Sequence, residues 1–322
     1  MKLGVFTVLY SQRSLEETLD DLAQQGVESV ELGTGGYVGN AHCNPQELLV
    51  DEAKRKALKK AVESRGMTIS ALSCHGNTLH PQEQIAQQFH DDLEATVKLA
   101  EQLEVPTVVT FSGLPGDHEG ALYPNWPVAP WPNDFQDVFA WQWENKVIPY
   151  WTEMGKFAEK HHVRFALEMH GGFSVHTPAT LLKLRDAVGE VIGANVDPSH
   201  MWWQGIDPIE AIRILGREKA IYHFHAKDTA IDPVNVNRAG LTDMQSYAQM
   251  ADRAWIFRTI GYGHDMKEWA DIISKLRQVG YDGVVSIEHE DGLMSVDEGL
   301  QRAVANLRQV IIKEPLGEMW WV

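Results

Sequence analysis

Ala194-Asn195-Val196-Asp197-Pro198-Ser199-His200 reads as the end of a β-strand with a carboxylate and an imidazole at its mouth. Side chains alternate with period two along an extended chain, so Asn195 and Asp197 share a face. Pro198 cannot donate to a sheet ladder, which ends the strand and leaves Asp197 at its C-terminal lip. Three other strand-like stretches finish in the same way. They are RFALEMH at 164–170, with Glu168 and His170; IYHFHAKD at 221–228, with His223 and His225; and GVVSIEHED at 283–291, with Glu288 and Glu290.

Outward from these stretches the chain alternates. An apolar run at 2–8 is followed by SLEETLDDLAQQG, in which Ser14 and Glu17 form a capping box and Gly26 is the stop. The unit recurs as ESVELG with a helix over 50–65, MTISALSCH with 82–103, and PTVVTFSG with 139–161. In the second half the strands at 163–170, 192–197, 220–228 and 283–288 are followed by helices near 178–187, 208–216, 266–279 and 295–313. Eight such alternations without a domain-sized linker predict an α/β protein, a (β/α)8 TIM barrel spanning 1–322 as one domain. An open doubly wound sheet is the runner-up, disfavoured because no G-x-G-x-x-G follows the first strand; the GTGG at 33–36 follows the second. Two long loops, 114–138 and 229–263, fall on the C-terminal face, where barrels carry function, and 314–322 forms a tail.

Asp197 lies 29 residues after Glu168, and His225 lies 28 after Asp197, about one βα repeat each time. Glu288 follows 63 later, again one repeat once the 229–263 insertion is removed. Glu168, Asp197, His225 and Glu288 thus occupy equivalent places on strands five to eight. Three carboxylates and an imidazole suit one divalent cation: Mn2+ first, with Mg2+, Co2+ or Zn2+ compatible. His225 is nearer the lip than His223, and His170 and Glu290 lie farther out as substrate or supporting contacts. His75 in SCHGN points to the same face, and Glu31, ending the second strand, is expected to orient such a neighbour. Tyr123, Trp126, Trp131, Trp202 and Trp203 offer aromatic faces to a sugar, whereas Trp141 and Trp143 fit a core.

In this order, LEMH, VDPSH, HFHAKD and SIEHED resemble the xylose isomerase-like TIM-barrel superfamily, over nearly the whole chain. That resemblance implies a metal-dependent sugar isomerase or epimerase, with Glu168 and Glu288 as the acid–base pair among the four ligands. It also implies a substrate contact for His200, which keeps the D-x-x-H spacing. Ketose 3-epimerases of this kind carry a further glutamate and an arginine where this chain has Ser174 and Ile231. Arg258 is the expected substitute for that arginine, and a lyase, either a keto-polyol dehydratase or an enzyme removing the aglycone of a 3-oxo-glycoside, is the alternative. The nuclease branch needs a histidine where Phe111-Ser112-Gly113 stands. A non-catalytic sugar-binding or partner-subunit barrel is the third reading, and it predicts a degraded ligand set.

Composition limits the rest. With 44% hydrophobic and 23% charged residues the chain can bury a large core, and a net charge of −17 argues against a nucleic-acid partner. The basic KRKALKK stretch at 54–60 reads as a solvated helix face. Cys43 and Cys74 cannot build a disulfide framework, the start resembles no signal peptide, and no run approaches the roughly 20 apolar residues of a membrane span. A cytoplasmic enzyme acting on a small carbohydrate is expected, with no nucleic acid or membrane partner. A homo-oligomer or partner subunit is compatible, with the MWWV end packed or in a subunit contact.

Overall fold

In a computed structural model, which describes all 322 residues, eight parallel strands close into a barrel. They are β1 (Lys2–Phe6), β2 (Ser29–Gly36), β3 (Thr68–His75), β4 (Thr107–Thr110), β5 (Arg164–Glu168), β6 (Ile192–Val196), β7 (Ile221–Ala226) and β10 (Val284–Ile287). Closure is made where β1 pairs with both β2 and β10. Helices cross between the strands and bury their apolar stripes against the ring, with Trp143, Trp151 and Trp269 wholly inside. No helix is long and apolar enough to cross a membrane.

Local chemistry fixes the helix boundaries. Ser14 caps the helix Leu15–Gln24 by accepting from Glu17 N at 3.2 Å, and Glu17 Oε2 accepts from Ser14 N at 3.0 Å. GTGG at 33–36 is not a turn but the extended end of β2. A Cβ on Gly36, whose φ is +67°, would lie 2.0 Å from the His75 carbonyl oxygen, so only glycine lets β2 and β3 run together there. The KRKALKK lysines lie on the exposed helix Glu52–Glu63, where Lys56 pairs with Glu52 and Lys59 with Glu104.

The two long loops carry more structure than the sequence suggested. The helix after β4 starts at Asp134 and runs through one π turn at Trp143–Val147 to Lys160. The Gln142 amide pins the preceding loop through the Pro115, Gly116 and Asn125 carbonyls. After β7 the chain forms an antiparallel hairpin of β8 (Asp228–Ile231) and β9 (Trp255–Arg258), linked through the exposed helix Pro233–Ala239. Wholly buried Asp228 anchors it, accepting from the backbone of Gly261, Gly263 and His264, from His264 Nδ1 and from Trp269 Nε1. The tail leaves Leu316, Met319, Trp320 and Trp321 exposed.

Candidate metal centre

β5, β6, β7 and β10 are consecutive in the ring, and their C-terminal ends bring Glu168, Asp197, His225 and Glu288 together. One ligand atom from each lies within 4.8 Å of all the others. Glu168, Asp197 and His225 are buried, while the Glu288 side chain keeps 12% of its surface exposed and marks the open side. His225 Nδ1 stands 3.1 Å from Glu168 Oε2 and 3.0 Å from Glu288 Oε2, yet has no well-formed hydrogen bond. Asp197 Oδ2 and both His200 ring nitrogens are buried without one as well.

Buried polar atoms left unpaired are costly, and two of these, Asp197 Oδ2 and His225 Nδ1, belong to the same carboxylate-rich cluster. A divalent cation satisfies them, so the residues present fit a metal; the donor set of three oxygen ligands and one nitrogen is compatible with Mn2+, Mg2+, Co2+ or Zn2+. Asp197 holds its position by capping the short helix Pro198–Trp202, its Oδ1 accepting from Ser199 N at 2.8 Å.

Around the set, His75 Nε2 and Asn195 Nδ2 reach Glu168 Oε2 at 3.2 and 3.0 Å, and His200 Nε2 lies 3.2 Å from Glu168 Oε1. Burial pushes the Glu168 carboxyl up, but the close approach of the His200, His225 and His75 imidazoles outweighs it and holds the group well below its ordinary range. Asp197 goes the other way. Burial lifts it to about 7, opposed by Lys227 and helped by the charges of Glu168 and Glu288. Burial also lowers His200 to about 3 and displaces His170 downward, which favours neutral imidazoles. The His170 ring lies 3.9 Å from that of His200.

Residues 19–310 match the family described as Xylose isomerase-like TIM barrel. The chain belongs to that family. A relative from Bacillus subtilis (strain 168), the uncharacterized protein YfiH, is 38% identical over 314 residues, spanning 97% of this chain and 99% of its own length. Three solved structures are similar in fold. The IOLI protein with a binding zinc atom superposes with a TM-score of 0.65 at 18% identity, over 97% of this chain and 98% of that one. A D-tagatose 3-epimerase-like protein gives 0.64 at 19%, over 96% and 98%. The probable 3-DHS dehydratase AsbF, involved in petrobactin synthesis in Bacillus anthracis, gives 0.64 at 18%, over 96% and 98%.

Within this xylose isomerase-like barrel two expected residues do not join the site. Arg258 donates from Nε to Asp291 Oδ2 at 3.0 Å and faces Tyr262. Alternation along β9 turns its neighbour Phe257 inward instead, edge-on to His200 and under Lys227 Nζ. Trp202 stacks on His264 at 3.8 Å and packs edge-on against Trp269, while Trp203 meets the hairpin by stacking on Trp255 at 4.8 Å. Glu31 orients His225, not His75, whose contact is with Glu168.

Lys227 is the functional candidate that reading the sequence passed over. It is wholly buried, with Nζ 2.9 Å from Glu288, 2.9 Å from Glu290 and 3.3 Å from Asp197. Burial disfavours its charge, but Glu288, Glu290 and Asp197 raise its pKa well above the usual lysine value. Its position two residues beyond His225, on the same face of an extended chain, was the available signal. Phe111 was passed over too: it meets His75 edge-on at 4.6 Å, lies edge-on to His170 and stacks on Phe173 at 4.2 Å.

Proposed function

We propose that this chain is a divalent-metal-dependent enzyme that moves a proton at the carbon next to the carbonyl of a sugar-like ketone, an isomerase or epimerase. The observation that carries this reading is the convergence of Glu168, Asp197, His225 and Glu288 with their unpaired atoms on one point. A divalent cation held there would polarise a carbonyl and an adjacent hydroxyl and make the intervening C–H acidic. Glu168 and Glu288 are then the pair that removes and returns the proton, with His75 and His200 holding Glu168 in place. Only Glu288 keeps exposure, which supports entry of substrate from its side.

The substrate is read as a small carbohydrate without phosphate or carboxylate. Lys227, the cation within the site, is already committed to Glu288 and Glu290, and Arg258, the expected anion-binding arginine, is held away by Asp291. The test is solvent deuterium exchange into a panel of ketoses by the Mn2+-loaded protein, followed by NMR. Wild type exchanges one carbon-bound proton, whereas Glu168→Gln and Glu288→Gln do not; exchange retained in both variants removes the assignment.

A second reading, a lyase, is favoured by Lys227, whose buried ammonium beside Glu288 and Glu290 can hydrogen-bond a departing oxygen and stabilise its developing charge. After the proton leaves carbon, its electron pair becomes the new C=C bond and the departing group takes a proton as water or a free aglycone. Release of water or aglycone from keto-polyols or 3-oxo-glycosides, with no epimer formed, selects this reading.

A further inference from the structure

Beneath the four metal-facing residues lies a second polar layer inside the barrel. Glu31 on β2 reaches across the interior and accepts from His225 Nε2, whose distances to its two carboxylate oxygens are 2.9 and 3.0 Å. Ser286 Oγ donates to the same carboxylate at 2.7 Å, and Ser73 Oγ donates as well. Glu31 is wholly buried. His223 belongs to a separate chain: its Nδ1 donates to Asn195 Oδ1 at 3.1 Å, and Asn195 in turn donates to Glu168. Glu31, His223 and His225 lie close enough together to be mistaken for another cation site. Yet both Glu31 oxygens and both His223 nitrogens are occupied by other partners, so this layer is a support.

We infer that Glu31 is a positioning residue for the metal centre, holding His225 with its proton on Nε2 so that Nδ1 is the atom offered to the cation. A neutral imidazole has one donor and one acceptor nitrogen, and a carboxylate that only accepts decides which is which. Nδ1 is the nitrogen left without a well-formed bond, and it faces Glu168 and Glu288. The carboxylate also fixes the ring plane, because Ser73 and Ser286 fix the carboxylate. The sequence named Glu31 but gave it the wrong partner, since only closure of the ring sets β2 opposite β7.

This inference rests on the metal reading, and titration of Glu31→Gln with Co2+, followed by its d–d absorption, separates the two. Wild type binds one Co2+; Glu31→Gln binds it about 10- to 100-fold more weakly, the loss typical of a missing partner behind a metal-bound histidine. The histidine 15N shifts of the Zn2+-loaded protein place the His225 proton on Nε2 in wild type, and that resonance moves in the variant, whose amide oxygen accepts more weakly than the carboxylate. A merely structural role would lower the melting temperature and leave affinity and 15N shifts unmoved. Equal Co2+ affinity and spectrum in Glu31→Gln overturn the inference, and a wild type that binds no Co2+ overturns the metal reading and this one with it. If Glu31→Gln does not fold, Ser73→Ala/Ser286→Ala, which keeps the carboxylate but frees it, weakens Co2+ binding in the same direction; unchanged binding there also counts against the role.

Discussion

The two halves of the barrel ring differ in what their strand ends carry. β5, β6, β7 and β10 end in Glu168, Asp197, His225 and Glu288, whereas β1 to β4 lead into Phe6, Gly36, His75 and Phe111. One half supplies charge, and the other supplies apolar shape with support from below: Phe6 stacks on His225 at 5.8 Å, Phe111 meets His75 and His170, and Glu31 and Ser73 hold the underside. Separating the two leaves Glu31 as the anion that this half sets beneath the acidic ligands, and the apolar wall lowers the local dielectric in which they act. Changes at the ligand-bearing strand ends, or at the Glu31 and Ser73 support beneath them, should therefore act on metal, and changes at the apolar wall of the other half on substrate.

The largest expected effect comes from Asp197→Asn. Asparagine keeps the N-cap of the Pro198–Trp202 helix, so the fold survives, but the ligand charge is gone. Metal affinity should fall by more than the roughly 10- to 100-fold expected from losing a supporting partner. Calorimetric titration with Mn2+ measures it. The same sample tests the linkage: saturating wild type at about 100 times the Kd adds about 2.7 kcal/mol of stability, and this increment vanishes in the variant.

A strong result from the ligand half would match what was most legible beforehand. Repeat spacing placed its four residues, because each sits at the end of one βα unit and the unit length is set locally by capped helices and apolar strands. The eight strands were readable for the same reason. The inward turn of Phe257 and the separate packing of Trp202 on His264 and Trp203 on Trp255 were not. Along a strand a shift of one residue turns a side chain to the other face, so Arg258 and Phe257 exchange roles on a register that only the β8–β9 pairing fixes. Trp202 and Trp203 differ likewise by one step on a helix, about 100° of rotation. Lys227 hid for another reason: a lysine on a strand end looks solvated until three carboxylates from the ends of the two strands flanking β7, Asp197 after β6 and Glu288 and Glu290 after β10, are placed around it.

An intermediate effect is expected across the ring from Phe111→Ala. Its ring is an edge partner of His75 and His170 and a stacking partner of Phe173, contacts worth roughly 0.5–1.5 kcal/mol each beyond buried area. Metal affinity should stay at the wild-type value, while KM for the ketose that exchanges deuterium rises by about ten-fold or less. Loss of metal binding in this variant would break the division between the halves, because the ring partners of Phe111 here are His75, His170 and Phe173, none of which is one of the four ligands.

The smallest effect lies at the seam. His176 packs edge-on against Trp126 from the loop after β4 and donates from Nδ1 to Gln204, whose amide in turn donates to the His200 carbonyl oxygen. Burial lowers the His176 pKa below its ordinary value of 6.5, against the raising effect of the Gln204 hydrogen bond. Above pH 6.5 the imidazole is neutral in folded and unfolded chains alike, and its packing counts in full. As the pH falls below 6.5 the unfolded chain takes the proton more readily, so the fold loses stability through this window and regains it on return to neutrality. Thermal unfolding of wild type between pH 7.5 and 5.5 should therefore show a downward slope toward acid that His176→Gln reduces. Metal affinity at pH 7.5 should be the same in both proteins. A variant with the wild-type slope would mean that the seam closes on the indole and amide contacts alone, leaving the two halves joined by packing and not by the charge state of an imidazole.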